Sequence, residues 1–365
     1  METIDVAVIG GGVSGLAVAR ALAQRDLSVC VLERHARPGL DTSTHNSGVI
    51  HAGIYYPADS LKARLCTEGR RLLYTFCAAH DVPHKRCGKL IVAHDDSELG
   101  ALEALWKRGT ANGVERLELV DRAFIARREP SIQAVAGIYS PESGSVEAEE
   151  LVKTLLRTGQ AAGVIFLPDT PLKGANLNRN GIELDTGRET ILAGTVVNAA
   201  GLYADDVSRM VGGESFAIYP CRGEYAELTP AKRGLVHAHV YPLPHQHGLG
   251  VHITTTLAGA VMFGPTARYQ ARKDDYENDR IPLEDFVEPA QQLLPGLTIA
   301  DLRLSGSGIR PKLNPPEESF ADFLIRRDRN NPRVVHVAGI ESPGLTACLA
   351  IGKLVSQIVD DEDHR

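Results

Sequence analysis

No two of the six cysteines, Cys30, Cys66, Cys77, Cys87, Cys221 and Cys348, stand at CxxC or knuckle spacing. That absence argues against a structural zinc site and against a disulfide framework, and a reducing cytoplasm fits it best. No uninterrupted apolar run reaches the roughly 18 residues needed to cross a bilayer. The expectation is therefore a protein that is cytoplasmic or, at most, peripherally associated with a membrane. Positive charge is not in excess either. With 39 Lys+Arg against 46 Asp+Glu the formal net charge is −7, which repels a phosphate backbone and makes nucleic acid an unexpected partner. No repeat of solenoid period is visible.

What the 365 residues do have is core material, with 43% hydrophobic against 23% charged. One elongated domain, or two sharing the chain, is expected. The start imitates an export signal, because residues 6–16 are apolar and Ala17-Val18-Ala19 resembles a cleavage site. The preceding Glu2 and Asp5, with no Lys or Arg, argue against that reading, and cleavage there would destroy the glycine motif that spans it.

Residues 4–9 read as a buried strand, 13–25 as a helix rich in small residues and 28–32 as a second strand, a βαβ opening of a parallel sheet. Helical spacing recurs over residues 61–80 and 98–112. Between residues 216 and 262 short apolar runs broken by Pro and Gly suggest antiparallel strands. After residue 303 the opening style returns, with a strand at 334–338, a glycine-rich turn at 339–344 and a helix at 345–359. A charged tail at 360–365 is expected to fray.

Gly10, Gly12 and Gly15 form GxGxxG directly after the first strand, where a tight turn, a close approach to a diphosphate and close helix packing each exclude a Cβ. The helix beginning at Val13 and Ser14 would point its positive end at the phosphates. Glu33 stands 23 residues after Gly10, placed to accept both ribose hydroxyls. The acid disfavours NADP, although the adjacent Arg34 weighs the other way. Thr42, Ser43, Asn46, Ser47 and Gly48 suit the polar edge of a flavin. Asn198-Ala199-Ala200-Gly201 would approach the same cofactor from mid-chain. The turn carrying Gly339, Glu341, Gly344, Leu345 and Thr346 opens the last helix, whose dipole would favour negative charge on a reduced flavin.

The run Asn46-Ser47-Gly48-Val49-Ile50-His51-Ala52-Gly53-Ile54-Tyr55-Tyr56, followed by Ser60-Leu61-Lys62-Ala63-Arg64-Leu65-Cys66, resembles L-2-hydroxyglutarate dehydrogenases and oxidases. These sit within the FAD-dependent family typified by D-amino-acid oxidase, glycine oxidase and sarcosine oxidase. Arg222-Gly223-Glu224-Tyr225 and Val251-His252-Ile253-Thr254 are similar to the same subgroup, and Gly308-Ile309-Arg310-Pro311 to the wider family. The resemblance implies an α/β, Rossmann-like FAD-binding domain of the glutathione reductase 2 type, with an inserted mixed, mainly antiparallel sheet that covers the substrate. The expected division gives 1–85, 145–215 and 305–365 to FAD binding, and 86–144 and 216–304 to the substrate. It adds Leu172 to the cofactor contacts. One departure is the short segment 269–297, where many relatives are longer.

Oxidising a 2-hydroxy acid requires a base for the hydroxyl proton, and His51 is the candidate, the alternative being a flavin contact without proton exchange. Arg310 offers a planar fork for a carboxylate, the alternative being a structural ion pair. Lys312, two residues on, would meet a second carboxylate or else sit in solvent. Tyr56, Arg222 and His252 are further candidates for the substrate pocket. The pairs His237-Ala238-His239 and His245-Gln246-His247 are expected to form a polar face rather than a metal site. The expected activity is oxidation of an L-2-hydroxy acid, with oxygen or a quinone taking the electrons. An amine or amino acid is the alternative substrate.

Overall fold

The computed structural model describes residues 2–244 and 250–360. Two large sheets and one small one carry the chain. The first strand, Glu2–Ile9, pairs in parallel with Val29–Leu32 on one side and Thr190–Asn198 on the other. Ile165–Leu167 and Val334–Ala338 extend this parallel core, and three antiparallel strands complete a sheet of eight. Every residue of Val29–Leu32 and of Val334–Ala338 is buried, as strands covered on both faces require.

Helix Val13–Ala23 runs back along this sheet and buries Leu16, Ala17, Val18, Ala19 and Leu22. Its small residues let helix Gly344–Asp360 approach closely, the Gly352 position lying 2.6 Å from the Ala17 carbonyl for any added Cβ. Helix Leu61–Ala79 joins them, started by Ser60, whose hydroxyl accepts from the Ala63 N–H.

The second sheet has nine strands, in the order Arg268–Tyr269, Tyr219–Leu228, Val261–Gly264, His252–Thr255, His239–Pro242, Lys89–Ala93, Ala136–Ser140 and Glu118–Asp121, with Leu302–Lys312 also on Tyr219–Leu228. All pairings are antiparallel except His239–Pro242 with Lys89–Ala93. Leu90, Val92, Val240, Ile253, Phe263 and Phe286 form its core. A three-stranded sheet of Val49–Ile50, Gly144–Val146 and His84–Lys85 lies apart from both.

Element types follow the sequence closely, and the ends differ by a residue or two. Two departures are larger. Within the region of short apolar runs, residues 236–243 form strand only over His239–Pro242. Leu302–Lys312 crosses the expected domain boundary at 305, because its pairing with Tyr219–Leu228 holds through Lys312 opposite Tyr219. The tail beyond residue 360 and the His245–His247 pair lie outside the described residues.

Candidate active site

One cavity of about 850 Å³ runs from the GxGxxG turn to the second sheet. At the near end Gly10 has φ +109°, and a Cβ there would stand 2.5 Å from the Ala199 carbonyl oxygen, so only glycine fits the turn. A Cβ on Gly15 would meet the Gly10 carbonyl at 2.0 Å. Helix Val13–Ala23 has no side-chain cap at Gly12, and Ser43 Oγ accepts from the Val13 N–H at 2.9 Å. An uncapped helix start facing a cavity leaves donors for a diphosphate.

Glu33 is buried at the same end, its two oxygens accepting from the N–H groups of Gly11 (2.7 Å) and His35 (2.8 Å). Burial raises its carboxyl above the ordinary range, against the opposing pull of those hydrogen bonds. Each oxygen keeps a lone pair for a ribose hydroxyl. Arg34 does not reach the cavity. Its Nη2 donates to both Asp41 oxygens at 2.9 and 3.0 Å, and its guanidinium lies 3.9 Å over the Tyr203 ring. A ribose phosphate would have to displace that pair, so Arg34 gives no support to NADP.

Thr42, Ser43, Ser47, Gly48, Ala199, Ala200 and Gly201 line the middle of the cavity, joined by Gly12, Val13 and Ser14. Gly344 and Leu345 bring the start of the last helix to it. A helix start without a side-chain cap at Gly12, a glycine cradle and a buried ribose-directed acid along one cavity fit a flavin dinucleotide.

At the far end stand His51, His252, Arg310, Lys312 and Glu341. His51 comes from the stretch after Val49–Ile50. Its N–H is fixed by the Thr346 hydroxyl at 3.0 Å, and its Nε2 lies 3.2 Å from Ser342 Oγ. Burial, then the charges of Lys89, His252 and His239, hold its imidazole well below the ordinary range, so the ring is neutral and able to accept a proton.

Arg310 and Lys312 share a strand face, as period-two alternation requires. Arg310 donates to the Thr266 carbonyl at 2.6 Å and to Cys221 Sγ at 3.5 Å. It has no carboxylate partner among the described residues. Gly223 on the paired strand makes room, because a Cβ there would lie 2.5 Å from the guanidinium. Lys312 is neither free nor solvated: its ammonium sits 3.4 Å from Glu341, which also binds Lys62 at 2.8 Å. Burial would raise the Glu341 carboxyl, but Lys62 and Lys312 outweigh it and hold it below the ordinary value. Glu341 thus serves two lysines as well as lining the cavity.

Several expected residues lie elsewhere. Arg222 faces away from the cavity, because Cys221, Gly223 and Tyr225 occupy the alternate positions that line it. Its guanidinium is 1% exposed and bound to Glu224 at 3.0 Å and to the Asp279 carbonyl at 3.0 Å, so it is a structural ion pair and not a substrate contact. Leu172 packs on the apolar cluster of Ile4, Ile9 and Leu32, away from the lining, because its side chain is core material. Gly339 ends its strand at φ +69° against Leu313. Gly15 and Thr346 act one layer back, Gly15 in the turn and Thr346 by bridging His51 to the Val49 carbonyl. Tyr56 is also outside the lining, next to Ser342.

His237 is exposed, whereas His239 is buried with both ring nitrogens in use, donating to the Gly144 carbonyl and accepting from the Thr255 N–H. These two do not converge on a metal. Sequence reasoning missed Cys221, Tyr225, Tyr241 and Thr266, all on the lining. Strand alternation through Gly223 was the available signal for Cys221 and Tyr225. Nothing local marks Tyr241 or Thr266.

A dinucleotide cradle joined to a cavity-lining guanidinium and a neutral histidine beneath a mixed sheet points to a flavin-dependent oxidoreductase. The family model for FAD dependent oxidoreductases matches residues 5–358, and the chain belongs to that family, with FAD as its cofactor. The chain is 35% identical to the mitochondrial L-2-hydroxyglutarate dehydrogenase of Arabidopsis thaliana, over 97% of this chain and 83% of that one. Against the Escherichia coli K12 L-2-hydroxyglutarate dehydrogenase the identity is 31%, over 97% and 93%. Among solved structures, L-alpha-glycerophosphate oxidase from Mycoplasma pneumoniae with FAD bound superposes with a TM-score of 0.90 at 29% identity, covering 99% and 95%. Glycine oxidase from Geobacillus kaustophilus gives 0.83 at 23%, covering 99% and 95%, a likeness of fold. No helix among the described residues is long and apolar enough to cross a membrane.

Proposed function

We propose that this enzyme oxidises a short L-2-hydroxy dicarboxylate, L-2-hydroxyglutarate above others, to the 2-oxo acid. The observation that carries the reading is the convergence on one cavity of His51, neutral and with its Nε2 beside the Ser342 hydroxyl, with Arg310, a guanidinium that has no carboxylate partner among the described residues. The dehydrogenase relatives supply the substrate. Arg310 holds one carboxylate by its fork, and His51 takes the hydroxyl proton at Nε2. Bound FAD supplies the acceptor for the hydride leaving the substrate C2. Residues 1–85, 145–215 and much of 305–365 hold the cofactor in this reading, and the nine-stranded sheet covers the substrate.

The test is anaerobic mixing of the FAD-loaded enzyme with candidate substrates while the oxidised flavin band is followed. Bleaching by L-2-hydroxyglutarate, and not by glycine, sarcosine or D-alanine, supports the proposal. Bleaching by the amines alone overturns it. The close structural likeness to a glycerophosphate oxidase favours one further arm, glycerol 3-phosphate, which also offers a hydroxyl beside an anion. Mixing the reduced enzyme with oxygen or with a quinone then identifies the electron acceptor.

A further inference from the structure

Behind the cavity wall lies a buried ammonium with no acid to answer it. Lys89, first residue of strand Lys89–Ala93, is 1% exposed, and among the described residues no carboxylate stands within ion-pair distance of it. Its Nζ lies 3.8 Å from the centre of the Tyr241 ring and 5.6 Å from that of Tyr55. Tyr241 lines the cavity and stacks on the His252 ring at 3.7 Å, and His252 lines it too. His252 feels the charges of both Lys89 and Arg310, so it sits in the field of the two cations.

A cation removed from water and answered only by ring faces is poorly compensated. The groups around it offer no negative charge to repair this. His239 is its register partner, Tyr241 lies on the same neighbouring strand, Cys66 comes from helix Leu61–Ala79, and Cys87 precedes it in the chain. His51 and His252 are neutral neighbours. Burial brings the ammonium down to about 7, opposed weakly by the two thiols. Lys312, the other lysine at this end, already faces Glu341.

We propose that Lys89 is a specificity-determining residue that makes the cavity prefer a doubly charged acid, by taking up a proton from solvent when a dicarboxylate enters and supplying, behind Tyr241 and His252, a second positive pole besides Arg310. This rests on the substrate reading above and deepens it. A monocarboxylate held by Arg310 alone would draw little of that proton.

The experiment is calorimetric titration of the FAD-loaded enzyme with glutarate and with butyrate, from about pH 6 to about pH 9, in buffers of different ionisation enthalpy. For the native enzyme, glutarate affinity should fall by up to about tenfold per pH unit above neutrality, with uptake of about one proton on binding near pH 8. Butyrate should show neither. In Lys89→Met, glutarate should bind on the order of tenfold or more weakly at pH 6 and lose the alkaline decline, with butyrate unchanged. Lys89→Gln serves as the second variant should Met not fold, and the proton uptake is read on the native protein in any case. Native glutarate binding with the same pH profile in both variants overturns the Lys89 proposal alone. No proton uptake by the native enzyme overturns it as well. Failure of glutarate to bind the native enzyme at any pH overturns it together with the dicarboxylate reading.

Discussion

Gly15 shows how a single missing atom decides whether the cofactor can bind. A methyl group there would collide with the Gly10 carbonyl, which is backbone and cannot swing aside. Gly15→Ala should therefore purify without yellow colour and melt at a lower temperature, read by absorbance and thermal denaturation. His51 is decided by chemistry instead of space. Replacing it with Gln keeps the polar contact to Ser342 and removes the base, so flavin reduction should slow by about 10²–10⁴-fold while glutarate still binds. Because enclosure holds its imidazole low, the acid limb of the native rate profile should lie below 6.5, the ordinary histidine value. A limb above that value would mean that another group is the base. That Arg310 and His51 share the cavity was legible in the sequence. Lys89 was not: its environment comes from Tyr241 and Tyr55, far from it in the chain, and only the fold brings them together.

At the scale of elements, strand Tyr219–Leu228 works on two faces. Cys221, Gly223 and Tyr225 turn to the cavity, while Arg222 and Glu224 turn inward and are fully enclosed. Glu224 answers Arg222 at 3.0 Å and Arg280 at 3.1 Å. Glu224→Gln would leave buried guanidinium groups short of charge and should cost about 3–5 kcal/mol, seen as a lower urea midpoint. The start of helix Gly344–Asp360 makes a different contribution. Thr346 ties it to the N–H of His51 and to the Val49 carbonyl, so Thr346→Val should keep FAD but loosen the histidine, slowing reduction by about tenfold with little change in flavin affinity. The Arg-Gly-Glu-Tyr run was visible as a motif, but its one-letter order could not say which face lines the cavity. Register with Leu302–Lys312, where Cys221 stands opposite Arg310, shows that.

At the scale of the whole molecule, buried basic groups with lowered proton affinity set a pH dependence of stability. His239 and His252 are pushed down to about 3, chiefly by burial, from an ordinary 6.5. Unfolding frees each ring to bind a proton between those values, so stability should rise with pH across that window and be lost as the pH falls through it. Lys89 acts in the same direction between about 7 and its ordinary 10.5, where the unfolded chain holds the extra proton. Melting temperatures should therefore be lower at pH 5 than at pH 8, and Lys89→Met should flatten the alkaline part of the curve. The amino-acid order alone determined the dinucleotide cradle, because GxGxxG, a following helix and an acid at the right spacing are local facts of backbone and charge. It also determined which strands are covered on both faces. Only the tertiary structure decided that Arg222 turns away from the cavity that Arg310 lines, what Lys312 is paired with and why Lys89 has no counter-charge among the described residues, since those depend on strands distant in sequence lying side by side, where burial and not composition sets the electrostatics.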